Sequence, residues 1–262
     1  MNLGFLMPKI IKINYKLKIF YHFIFCITFL TIWEAFSRNG LLSPVFFGNP
    51  SGIITYLGTE FFITGLLWKQ LGYTIFGTLA SFLLGSICAL IIALIFVIYP
   101  KLEYESEPYL NILNAMPRIA LAPLFLLWFG LGIGSKIAVG SSLSFFIVLS
   151  SALAGIHSVN SDHLILSRTL GASPKQIFFK LTLPGSVPML FSGFRLGLIF
   201  SMFGVVGSEL IAAEHGLGQQ LSFLQSMFNM NGVMGLIIIL SAIGMLLTKA
   251  MSILERHILR WQ

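Results

Sequence analysis

Six apolar stretches dominate this chain: residues 19–36, 72–98, 109–129, 136–156, 187–213 and 233–254. Each reaches the roughly 17 residues an α-helix needs to cross a bilayer. The apolar residues run on without period-two alternation, so the spans are helices and not barrel strands. A water-soluble alternative fails on charge. Charged residues make up 10% of the 262 and hydrophobic ones 56%, with a mean hydropathy of +0.91, whereas soluble chains carry roughly 25% charge. The chain reads as an all-α polytopic membrane protein of about six transmembrane helices.

The net charge of +7 comes from 16 basic residues scattered between the apolar runs, not gathered on one face. That pattern argues against nucleic acid and for cytoplasmic loops. Lys9, Lys12, Lys16 and Lys18 precede the first span, and Arg256 and Arg260 follow the last. Lys101, Arg168, Lys175 and Lys180 fall in loops on the same side, while the opposite side holds Arg38, Lys69 and Lys136. Both termini are therefore expected in the cytoplasm. Residues 1–18 form a basic tail and 19–262 a single transmembrane domain. One alternative is open: the basic start, apolar core and Ala35-Phe36-Ser37 have the outline of a cleaved signal peptide, although Trp33 and Glu34 sit awkwardly beside such a site. In residues 50–68, Ile53, Ile54, Leu57, Phe61 and Phe62 are spaced to form a helical stripe in the outer interface. Cys26 and Cys88, inside apolar runs, read as buried small hydrophobes.

Catalytic patterns are lacking. Gly130-Leu-Gly132-Ile-Gly134-Ser-Lys136 misses the phosphate-loop spacing and reads as a flexible turn. The histidines form no close metal pair, and Glu103, Glu105 and Glu107 read as a charged loop.

Residues 158–184 are polar enough to leave the membrane yet remain patterned. Ser173-Pro174-Lys175-Gln176 is a capping box with Pro at the first helical position. Gly171 reads as the C-cap of a preceding helix that begins near Asn160 or Ser161. Two short helices follow, carrying Leu164, Leu170, Ile177, Phe178 and Leu181, and the second is expected to stop near Leu183-Pro184. A structured apolar and basic knob on a chain with no energy source of its own suits docking.

Gly171, nine residues, then Leu181-Thr182-Leu183-Pro184 resembles the EAA loop of ATP-binding cassette importer permeases, E-A-A-x3-G-x9-I-x-L-P. Ile165-Leu166-Ser167 stands in place of E-A-A and Leu181 in place of the isoleucine. Arg168-Thr-Leu-Gly171-Ala172-Ser173, Gly193-Phe-Arg195, Glu209, Gly216-Leu-Gly218 and Met116-Pro117-Arg118 through Pro123 are similar to the nitrate, sulfonate, taurine and pyrimidine-precursor permease group. The resemblance covers about residues 50–250. It implies a type I importer permease in a bacterial inner membrane, paired as a homodimer among lipid. An extracytoplasmic binding protein would deliver solute. Two ATPase subunits, which alone carry ATP and Mg, would grip Ile165, Leu166, Ser167, Gly171, Ala172, Ser173, Ile177, Phe178, Leu181, Leu183 and Pro184. This chain itself would hold no cofactor or metal.

Ionisable side chains within spans are candidates for function. Arg118, Arg195 and Glu209 are the candidates for pathway or gate. Arg195 lies between Gly193 and Gly197, a spacing suited to close helix packing, and Arg118 follows Pro117, where freed carbonyls could line a cavity. A secondary transporter would show mid-span acidic coupling residues or inverted repeats, and a membrane enzyme a converging catalytic set. Neither pattern is evident.

Overall fold

The computed structural model describes residues 15–259. Lys9, Lys12 and Arg260 lie outside them, as do the side chains of Lys16 and Lys18. Among the described residues all regular structure is helical, with five helices long and apolar enough to span and one bent pair of helical pieces that meets the same measure when taken together.

Helix α1 (Tyr15–Arg38) is tied to the rest at its last turns. The Ser51 N–H and hydroxyl donate to Glu34 at 3.0 and 2.8 Å, and the Ser37 hydroxyl donates to the Gly48 carbonyl at 3.0 Å. Most of α1 is otherwise exposed in the single chain. Next come α2 (Pro44–Phe47) and α3 (Pro50–Gly58), each started by a proline. A π turn, Thr59–Ile63, continues α3. The stripe expected over residues 50–68 splits here. Ile53 is buried and Leu57 and Phe61 pack on the core around Leu236, whereas Ile54 and Phe62 face out. The segment is a cover on the bundle, because residues four apart share one face and their neighbours do not.

Three helices form the centre: α4 (Leu66–Ile98), α7 (Ile133–His157) and α10 (Leu183–Ile211). Small residues let them approach closely, as bilayer packing requires where no hydrophobic force drives helices together. A Cβ on Gly204 would sit 2.8 Å from the Gly140 Cα, and one on Gly85 would sit 2.2 Å from the Ser144 hydroxyl. Helices α11 (Leu217–Ser226) and α12 (Met230–Ile258) close a second cluster on this centre, built from Leu67, Met202, Leu217, Leu224 and Leu236.

The third apolar run is not one helix. It divides into α5 (Pro100–Ala115), a 3-10 turn at Arg118–Leu121 and α6 (Ala122–Phe129), bent by 79°. Pro117 holds Met116 extended, at φ −68° and ψ 135°, and breaks the hydrogen-bond ladder there. Glu103, Glu105 and Glu107, expected in a loop, lie on α5, which Pro100 and the first-turn Glu103 start well. Cys26 and Cys88, expected to be buried, are both exposed. Apolar side chains of a spanning helix lose nothing by facing outward.

Candidate functional site: the loop between α7 and α10 and the charges within the spans

The loop folds as its punctuation directs. Helix α8 (Ser161–Thr169) begins at Asn160, whose Oδ1 accepts the Asp162 N–H at 2.8 Å. It ends in a left-handed residue, Gly171, at φ +79°. There the Gly171 N–H donates to the Arg168 carbonyl and the Ala172 N–H to the Ser167 carbonyl, both at 3.0 Å. This is a Schellman closure, and it takes a residue without a Cβ. The next helix, α9 (Pro174–Ile177), opens with a reciprocal capping box. The Gln176 N–H donates to Ser173 Oγ at 3.3 Å, and the Ser173 N–H donates to Gln176 Oε1 at 2.8 Å.

The expected stop at Leu183-Pro184 does not occur. Helix α9 passes through a π turn, Phe178–Thr182, directly into α10, so one helical span runs from Pro174 to Ile211. Proline normally ends a helix because its ring meets the carbonyl four residues back. The wider turn, with the Leu183 N–H bonded to the Phe178 carbonyl, makes room for Pro184 in the first turn of α10.

The apolar knob also differs from expectation. Leu164, Ile177 and Phe178 line a cavity of about 590 Å³ beneath the loop, together with Phe96 and Ile156. Of the expected knob Leu170 is exposed, and Ile165, Leu166 and Phe179 join it in the exposed apolar surface. Ile165 and Leu166, the departures from the resembled pattern, are thus part of what the loop presents.

The three span candidates have separate partners. Arg118 donates to the Leu113 carbonyl and to Asn114 Oδ1, each at 3.0 Å, and its guanidinium lies 4.0 Å above the Phe146 ring. Arg195 forms an ion pair with Glu255 and so ties α10 to α12. Glu209 is fully buried. It accepts from Thr74 Oγ1 at 2.9 Å, from the Gly218 N–H at 3.0 Å and from Lys136 Nζ at 3.0 Å. Lys136 also donates to the His215 carbonyl. Lys136, counted above among the outer-side charges and read as the end of a flexible turn, is therefore a buried residue of α7 paired with Glu209. The signal for this pairing was available: one acid and one base at the same ends of consecutive antiparallel spans.

The backbone around this pair is built to receive it. The Gly216 N–H donates to Gln70 Oε1 at 2.6 Å and the Leu217 N–H to Thr74 Oγ1 at 2.8 Å, while His215 stacks on Tyr73. A Cβ on Gly216, at φ +120°, would lie 2.0 Å from Glu209 Oε1.

Residues 81–261 match the family described as the binding-protein-dependent transport system inner membrane component. Among characterised relatives, the taurine transport system permease protein TauC of Escherichia coli is 28% identical over 88% of this chain and 86% of its own. The formylaminopyrimidine transport permease protein ThiX of Halalkalibacterium halodurans is 29% identical over 91% and 94%. A putative aliphatic sulfonates transport permease, SsuC of Bacillus subtilis, is 29% identical over 89% and 84%. A chain of the MetNI methionine ABC transporter in an inward-facing conformation superposes with a TM-score of 0.65 at 20% identity, over 74% of this chain and 97% of that one. The chain belongs to the family of inner membrane components of binding-protein-dependent transport systems: it is a multi-pass, type I ABC importer permease, which works with a separate ATPase and a solute-binding protein.

Proposed function

We propose that two copies of this chain form a passage for a small polar solute, with two ATPase subunits holding the loop at residues 158–184 from the cytoplasm. The relatives are named for taurine, aliphatic sulfonates and formylaminopyrimidine, and a solute of that size and polarity is the one assigned here. ATP and Mg belong to the partners. The basic loops favour an orientation with both termini inside.

One observation carries the coupling role: α9 and α10 are a single helical span of 38 residues. At 1.5 Å per residue it is about 57 Å long. A displacement of α9 by an ATPase therefore tilts span five, and close packing at Gly193 against Ser151 and at Gly204 against Gly140 passes the tilt to α7. ATP closure then selects between two arrangements of a packed bundle. In this reading Ile165, Leu166, Leu170 and Phe179 are the docked surface, and Gly171 with the Ser173 capping box sets the angle between α8 and α9. Arg118 serves the pathway, while the Arg195 and Glu209 pairs make the helices move as units.

The test is Gly171→Val, reconstituted with the ATPase and binding protein. Open space surrounds Gly171, so the substitution acts through backbone strain alone, of order 1–3 kcal/mol. Permease insertion is expected to survive, and hydrolysis should lose its response to loaded binding protein. Normal stimulation and uptake would remove the loop from the coupling role.

A further inference from the structure

Helix α5 carries a polar stripe. Glu103, Glu107, Asn111 and Asn114 recur every three or four residues, which places them on one face. Across from them Phe146 and His157 of α7 line the same cleft, of about 400 Å³. Glu103, Leu153 and His157 also line the cavity beneath α8 and α9, so the cleft opens beside the loop assigned to the ATPase.

Two facts bear on what the cleft holds. Glu107, Asn111 and Asn114 are exposed in the single chain. Asn111 and Asn114 fall within the apolar run at 109–129, where such groups are not set against hydrocarbon but face water or other protein. The second fact is the sign of the free charge. Arg118 is already committed to Leu113, Asn114 and the Phe146 ring, and Arg168 lines the neighbouring cavity beneath the loop but not this cleft. His157 Nε2 stands 3.4 Å from Glu103. Glu107 has no ion-pair or hydrogen-bond partner among the described residues. Leu110, Leu149 and Leu153 supply low-dielectric walls, which concentrate the field of the carboxylates within the cleft.

We infer that the cleft between α5 and α7 is a water-filled segment of the solute path that favours positive charge, where Glu107 and Glu103 recognise a protonated or hydrogen-donating nitrogen of the solute. An oxyanion lacking such a nitrogen is disfavoured there. The inference rests on the importer reading and adds the substrate class to it.

The test uses two thiol reagents of opposite charge on Asn111→Cys, made with Cys26→Ala and Cys88→Ala and reconstituted in liposomes. The cationic trimethylammonium-ethyl methanethiosulfonate is compared with the anionic sulfonatoethyl methanethiosulfonate. Each rate is divided by that reagent's rate with a small free thiol. The corrected ratio is expected to favour the cation about tenfold, and adding Glu107→Gln should bring it close to one. A ratio near one with Glu107 intact overturns the inference. So does failure of both reagents to react in a variant that keeps binding-protein-stimulated hydrolysis, because lipid or protein would then fill the cleft. Loss of stimulation in the parent chain would instead sink the importer coupling reading, while the labelling ratio is read without ATPase or binding protein.

Discussion

Lys136 Nζ lies 3.0 Å from Glu209 Oε1, with 3% of the lysine side chain and none of the glutamate side chain exposed. The pair joins α7 to α10 where α10 turns toward α11. Removing one partner strands the other as a buried charge, which costs about 3–5 kcal/mol. Lys136→Met alone is therefore expected to lower thermal stability in detergent sharply, and Glu209→Met alone likewise. The double variant Lys136→Met/Glu209→Met should recover a large part of the loss. Additive losses in the double variant would show that the two charges do not depend on each other.

Close packing predicts a contrast between glycines. Gly204→Ala places a Cβ 2.8 Å from both the Gly140 Cα and Leu143 Cδ1, and overpacking of this kind costs roughly 1–3 kcal/mol. Gly72→Ala, in α4 with nothing within 4 Å, should be neutral or stabilising by about 0.5–1 kcal/mol. Melting curves of the two purified variants should place Gly204→Ala below the parent and Gly72→Ala at or above it.

Topology is checked by labelling from outside intact cells, in a background without Cys26 and Cys88. Phe62→Cys, on the exposed side of the π turn after α3, should react with an impermeant reagent, and Ser173→Cys should not. The reverse pattern would invert the orientation drawn from loop charge and move the ATPase loop to the wrong side.

Arg118 makes two hydrogen bonds and one contact with an aromatic face. A fork of donors above a ring is matched poorly by an ammonium. Arg118→Met and Arg118→Lys should both cut uptake about tenfold, the first by removing every contact and the second by losing the forked hydrogen bonds, together on the order of 1–2 kcal/mol. Membrane abundance and ATPase association should stay near the parent level. Loss of assembly instead would make Arg118 a structural residue.

Much of this protein was settled by local rules. Apolar length defined the spans, and the residues Asn160, Gly171, Ser173, Pro174 and Gln176 directed the loop, because caps and left-handed turns depend on a few neighbouring atoms. Pro117 marked the break in the third span for the same reason. What only the tertiary structure decided is how distant segments meet. Local rules forbade a helix through Pro184, yet the π turn at Phe178–Thr182 carried it through. Charge counting set Lys136 among the outer-side residues without a partner, yet Glu209 and the His215 carbonyl hold it in the interior. The inward turn of Ile177 and Phe178 depended equally on contacts across the bundle. Hydrophobicity separates membrane from water but does not distinguish lipid from a neighbouring helix. Which apolar face points inward, and which charge finds a partner there, is therefore left to packing.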